Sequence, residues 1–183
     1  MSSSRVFVRQ LGLDDAESML DVRQRNRAFL QPFEPTHHDL QFTLEGQRSM
    51  LSQSEKQFMD GSAFAFAIRC TENGPVVGKI TLSNVVRGAF ESCTVGYFVD
   101  QQYNGQGIAT EALHMVLRFA FNHAKLHRVQ AAVMPRNIAS TRVVQKAGFQ
   151  YEGRAPYYLK IHGVWEDHDI FSITQEIVDI KLI

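Results

Sequence analysis

The chain has 183 residues, 44% of them hydrophobic and 21% charged, a size and composition that predict one globular domain over residues 1–183. Lys plus Arg and Asp plus Glu each number 19, so the formal net charge is zero, which argues against a broad electrostatic grip on nucleic acid or an anionic membrane. The apolar runs are too short to cross a bilayer, the first five residues carry no secretory stretch, and Cys70 and Cys93 are too few for a disulfide framework, so a cytoplasmic setting is expected.

No repeat, low-complexity tract or linker interrupts the pattern. Val6 and Val8 alternate with polar residues and predict a short first strand. Asp14 and Asp15 open a helix through about Leu30, with Ala16, Met19 and Leu20 on its inner face. Gln31-Pro32-Phe33-Glu34-Pro35 breaks it, because proline cannot continue a helix. A second helix is expected from about Leu44 to Met59, capped by Thr43 and stopped by Gly61. Phe64, Phe66 and Ile68 alternate with small or polar residues as in a half-buried strand, and Asn73-Gly74 signals a hairpin to a strand at about Val76–Leu82. Ser83 to Ser92 reads as an irregular loop, followed by a strand at about Thr94–Asp100. After Gly105 and Gly107 comes a strong helix from about Ile108 to Ala124, then a strand at about Val129–Met134. A short helix at about Ala139–Ala147, closed by Gly148, precedes two strands flanking His162-Gly163. The order predicts a mixed α/β fold with a central sheet.

The most informative stretch runs from Val99 through Gln102, Gly105, Gln106, Gly107, Ile108 and Ala109 to Thr110. A strand leads into a glycine-bearing turn that opens a helix. The first amides of such a helix lack intrahelical acceptors and sit at the positive dipole end, so they suit a pyrophosphate. The plainer alternative is a simple glycine turn. A Walker A loop needs Gly-Lys-Ser/Thr, whereas Ile108-Ala109 follows Gly107; the dinucleotide fingerprint needs a small residue where Thr110 stands. Phosphate binding survives these tests, but ATP and NAD loops do not.

Gln102-x-x-Gly105-x-Gly107 resembles the acetyl-CoA signature of the GNAT superfamily of N-acetyltransferases. Asn137-Ile138-Ala139-Ser140 with Lys146-Ala147-Gly148-Phe149 and Glu152-Gly153 resembles that superfamily's next motif. Within it the chain is most similar to the RimJ/RimL group of ribosomal-protein alanine N-acetyltransferases, the RimJ side above all. That likeness is carried by the stretches 26–35, 83–88 and 157–168. The resemblance implies a central, mostly antiparallel sheet with a splayed parallel strand pair and flanking helices. It also implies acetyl-CoA as co-substrate and direct transfer in a ternary complex, to the N-terminus of a ribosomal or other protein, with no metal. Phe98 and Val99 would pair with the pantetheine arm, since an extended ligand with two amides can satisfy unpaired strand groups. Asn137 would contact the same arm, with Ser140 near the sulfur.

The chain departs from the family at two places. A tyrosine common seven residues after the position of Asn137 is replaced by Val144, so Ser140 inherits the acid role unless it merely caps a helix, an alternative open for Asn137 too. A glutamate expected six residues beyond Gly153 falls on Leu159. Glu34, between two prolines, is the replacement base candidate, against the alternative of a solvated loop residue; Glu91 is a weaker one. Asn84, Arg87 and Tyr97 are candidates for the acceptor side, and Trp165 and Phe33 for core or rim packing. His37-His38-Asp39, and His123 with His127, lack a third metal ligand, and Cys93 lacks a visible base for nucleophilic work. Two rival functions remain: acetylation of a small amine such as a polyamine or aminoglycoside, which expects an acidic closed pocket, and a non-enzymatic acyl-CoA sensor.

Overall fold

The computed structural model describes residues 5–36 and 38–177. Its strands are β1 (Phe7–Gln10), β2 (Phe64–Arg69), β3 (Gly78–Val86), β4 (Ser92–Val99), β5 (Arg128–Val133), β6 (Gln150–Ile161) and β7 (Val164–Thr174). They form one sheet in the order β1-β2-β3-β4-β5-β7-β6. Every pairing is antiparallel except β4 with β5, which run parallel. The helices are α1 (Ala16–Arg25), α2 (Arg27–Leu30), α3 (Leu44–Asp60), α4 (Ile108–Asn122) and α5 (Ile138–Lys146). The mixed α/β architecture expected from the element order is the one observed. No helix among the described residues is long and apolar enough to cross a membrane.

Apolar spacing dictates how the layers stack. Ala112, Leu113, Val116, Leu117 and Ala120 of α4 are buried against Phe66, Ile80, Leu82, Val129 and Ile173 of the sheet. On the opposite face, Met19 and Val22 of α1 and Leu51 of α3 pack with Ala65 and Ala67 of β2. Burying such a large aliphatic side chain stabilises the fold by about 1.5–3 kcal/mol. Thr43 caps α3 by accepting the Gly46 amide at 3.1 Å, as the sequence suggests.

Several expectations need correction. β2 is buried on both faces, because its small residues face a second helical layer rather than water. The first helix breaks at Asn26, whose side chain donates to the Val22 carbonyl and accepts the Gln101 amide. Leu20 is only half-buried, while Val22 and Arg23 take the inner face. Asn73-Gly74 makes no left-handed hairpin turn: residues 70–77 form a longer connection, with the Gly74 amide bonded to Thr71. The expected loop from Ser83 shortens, since β3 continues to Val86 through an irregularity in its pairing with β4.

The feature that matters for function is where β4 and β5 part. They pair only over Ser92–Thr94 and Arg128–Gln130. Beyond Thr94, β4 keeps its bonds to β3 and β5 keeps its bonds to β7. The facing backbone edges therefore line a cleft, with the N-termini of α4 and α5 at its sides.

Candidate active site

A cavity of about 1140 Å³ passes through this cleft. One half is lined by Val95–Val99 of β4, Ala131–Val133 of β5, Tyr103, Asn104, Gly105 and Gly107 of the turn, and the first residues of α4 and α5. The other half lies under α1, α2 and α3, with Lys79 and Thr81 of β3 and Ala65 of β2 as its floor.

In the first half, the backbone supplies the chemistry. Gly107 is the N-cap of α4 at φ +83°, and Gly105 lies at φ +76°. A Cβ added at either would meet nothing within 4 Å, so the peptide units stand open to the cavity. The leading amides of α4, at Ile108, Ala109 and Thr110, have no acceptor one turn back and form an anion cradle. Phe98 and Val99 lie on the unpaired stretch of β4. Gln102 and Gln106 are exposed and do not line the cavity; the Gln106 side-chain amide donates to the Gln102 carbonyl. Arg142 and Lys146, one turn apart on α5, bring positive charge to the same side.

The α5 end carries the hydroxyl candidates. Asn137 caps the helix by accepting the Ser140 amide at 3.1 Å, so the capping alternative is real for Asn137 while the residue still lines the cavity. Ser140 Oγ lies 2.9 Å from the Tyr97 hydroxyl. Burial pushes the Tyr97 phenol up to about 12, only partly opposed by its bond to Ser140. Val144 is fully buried in the core and offers nothing to the site.

In the second half, side chains do the work. Arg23 holds Glu34 with two parallel bonds of 2.8 Å, and its guanidinium also lies 5.1 Å from the centre of the Phe98 ring. Burial, reinforced by the Arg23 charge and opposed by Glu34, holds Lys79 below the ordinary lysine value. Glu34 is the one carboxylate lining the cavity among the described residues. Arg136 ties the mouth together, bonding the Pro32 carbonyl at 3.0 Å and Glu166 at 2.7 Å.

Other candidates lie elsewhere. Arg87 donates to the Ala124 carbonyl just past α4, and neither it nor Asn84 lines the cavity. Glu91 is exposed, and its carbonyl accepts the His127 and Arg128 amides. Phe33 is at the rim, whereas Trp165 is 57% exposed on the last hairpin. His37 lies outside the described residues; His123 stacks on Phe119, and His127 pairs with Glu176. Cys93 is buried outside the cavity, with its thiol pushed up to about 12 by that burial.

A model of the acetyltransferase (GNAT) domain matches residues 5–150. The chain belongs to the GNAT family of N-acetyltransferases. It is 39% identical over 173 residues to the probable N-acetyltransferase YjcK of Bacillus subtilis (strain 168), covering 94% of this chain and 96% of that one. It is 33% identical over 174 residues to the ribosomal protein uS5-alanine N-acetyltransferase of Escherichia coli (strain K12), covering 95% and 90%. Among solved structures, Mycobacterium smegmatis RimJ in complex with CoA-disulfide superposes with a TM-score of 0.88 at 33% identity, covering 93% of this chain and 82% of that one. GNAT enzymes use acetyl-CoA as acetyl donor. The open cradle at Gly105 and Gly107 and the unpaired edge of β4 fit its pyrophosphate and its two-amide arm.

Sequence reasoning missed Lys79, Arg23, Arg136 and the pairing of Tyr97 with Ser140. Lys79 had a signal: a lysine in a strand whose neighbours on the same face are small. The Tyr97–Ser140 contact had none, since it joins a strand to a helix 43 residues away.

Proposed function

We propose that this N-acetyltransferase transfers the acetyl group of acetyl-CoA directly to the α-amino group of a protein N-terminus, with alanine favoured and a ribosomal protein as acceptor, in the cytoplasm. The observation that carries the choice of acceptor is the charge of the acceptor half. Its lone carboxylate among the described residues, Glu34, is clasped by Arg23, and Lys79 lies beside them. A polycationic small amine needs an acidic pocket, and this one is not acidic. The relatives named as ribosomal-protein alanine acetyltransferases favour the same reading.

Each residue then has a task. The amides from Ile108 to Thr110, opened by Gly105 and Gly107, hold the pyrophosphate, with Arg142 and Lys146 adding charge. Phe98 and Val99 pair with the pantetheine arm, and Asn137 orients it. Glu34 accepts the first proton of the incoming ammonium, and Ser140 protonates the departing sulfur. Direct transfer agrees with a buried Cys93 thiol that stays protonated at neutral pH.

The proton arithmetic favours an α-amine. With a pKa of about 8, roughly one α-amino group in ten is neutral near pH 7, against about one lysine in 2,500. The difference is about 3 kcal/mol that a site without a strong base does not have to supply. The test uses an alanine-starting peptide in two versions, one N-terminally blocked and one with every lysine replaced by arginine. Acetyl-CoA turnover should vanish with the block and survive the replacement. The opposite result, or turnover on polyamines and aminoglycosides alone, would overturn the reading. No CoA release with any amine would leave the sensor.

A further inference from the structure

The Tyr97 and Ser140 hydroxyls approach to 2.9 Å inside the cavity, at the point where β4 leaves β5 and α5 begins. The same phenol lies 3.3 Å from the Ser140 carbonyl oxygen, so its position is fixed from two sides. Ser140 is itself held by the Asn137 cap. With Val144 turned into the core, α5 offers no second hydroxyl one turn further on. A tyrosine from the sheet thus stands in contact with the serine that the proposed function assigns to the sulfur.

We infer that Tyr97 and Ser140 work as a single proton-carrying pair, in which Tyr97 re-supplies the proton that Ser140 gives to sulfur. The inference rests on the proposed transfer to an amine. As the acceptor nitrogen bonds the acetyl carbon, the carbon–sulfur bond breaks and its electron pair stays on sulfur. Sulfur takes the Ser140 proton, Ser140 Oγ takes the Tyr97 proton, and the Tyr97 oxygen takes a proton from the acceptor nitrogen. One N–H proton has moved to sulfur, both hydroxyls are restored, and no further acid or base is consumed. Neither oxygen carries a full charge when the shifts are concerted, which suits a partly buried site where an isolated charge is costly. The high phenol value keeps Tyr97 protonated, and so able to donate, throughout the neutral range.

Tyr97→Phe keeps the ring and removes the relay. Its kcat should fall about 10–100-fold, with the acetyl-CoA KM within about twofold of the parent. Tyr97→Phe/Ser140→Ala should be no slower than the worse single variant, because groups acting as a unit are not additive. A second readout needs no acceptor: calorimetric affinity for CoA against desulfo-CoA at pH 7 and pH 9.5. A thiol ionises near pH 8.5, so the parent should favour CoA over desulfo-CoA more strongly at the higher pH. Both single variants should lose most of that gain. Unchanged kcat with an unchanged thiol preference in Tyr97→Phe would overturn the pair. A thiol preference lost in the variants of a parent that acetylates no N-terminus would keep the pair and sink the acceptor assignment. Should Tyr97→Phe not fold, 3,5-difluorotyrosine at position 97 preserves the shape and makes the phenol more acidic. Activity should then fall at a lower alkaline pH than in the parent, and an unmoved limb would overturn the relay.

Discussion

The two halves of the cavity are built from different materials. The half on β4, β5 and the start of α4 is made mostly of backbone: open amides, an unpaired strand edge and two glycines in the left-handed region. The half under α1, α2 and α3 is made of side chains that converge from distant segments, with Arg23, Glu34 and Lys79 at its centre. Backbone sites need few particular residues, so they persist while side chains around them change. Side-chain sites are set by long-range packing and carry the selectivity. Their weaknesses should differ accordingly.

The largest effect is expected from breaking the frame of the acceptor half. Asp15 is fully buried at the start of α1 and pairs with Arg9 at 2.6 Å and Arg69 at 2.5 Å, while its other oxygen accepts the Gly12 amide. These bonds tie α1 to β1 and β2. Asp15→Ala would strand the poorly exposed Arg69 guanidinium and should cost about 3–5 kcal/mol. Urea unfolding should report it as a lowered midpoint, and a loss below about 1 kcal/mol would show that α1 is held by apolar packing alone.

Gly107→Glu should come next and strike the other half. It forces a side chain at φ +83° and places a carboxylate at the cradle proposed for the pyrophosphate. Losing one charged hydrogen bond costs about 1.5–3 kcal/mol, so CoA affinity should drop tenfold or more. Thermal stability should fall far less than for Asp15→Ala. A folded variant that binds CoA as the parent does would remove the site from this turn.

The same contrast explains what could be read in the sequence. The cradle was legible because a strand, two glycines and a helix start are neighbours in the chain, from Val99 to Thr110. The fold class was legible too, from element order and from the Gly105 and Asn137 motifs in sequence. The double burial of β2 was not, because Ala65 and Ala67 look like surface spacers until α1 and α3 cover them. Arg87 illustrates the converse. A basic residue that the sequence makes a candidate for the acceptor side donates instead to a carbonyl past the end of α4. Arg23 and Glu34 pair across 11 residues, but Lys79 joins them only once β3 has packed beneath them.

The smallest effect is expected at the tie between the halves. Asp100 follows β4, accepts the Gln102 amide at 3.2 Å and takes the Arg25 side chain of α1 at 2.7 Å. Burial raises its carboxyl, but the bonds from Gln102, Arg25 and Asn26 outweigh that and hold it below the ordinary 3.8. A depressed carboxyl contributes stability that is present above the ordinary value and is lost as pH falls through the lowered one. Asp100→Asn keeps the shape and removes the charge. At pH 7 it should cost about 1–2 kcal/mol, the scale of a charged hydrogen bond with a partly exposed partner. The gap between parent and variant should narrow as pH falls below about 4, because the unfolded parent then takes up a proton ahead of the folded one, and it closes below the lowered value, where both have lost the charge. Melting temperatures from pH 3 to 7 measure that gap directly. A gap of constant size would mean the Asp100 charge is not what joins the cofactor turn to α1, leaving Asn26 and its 2.9 Å bond to the Gln101 amide to hold the two halves together.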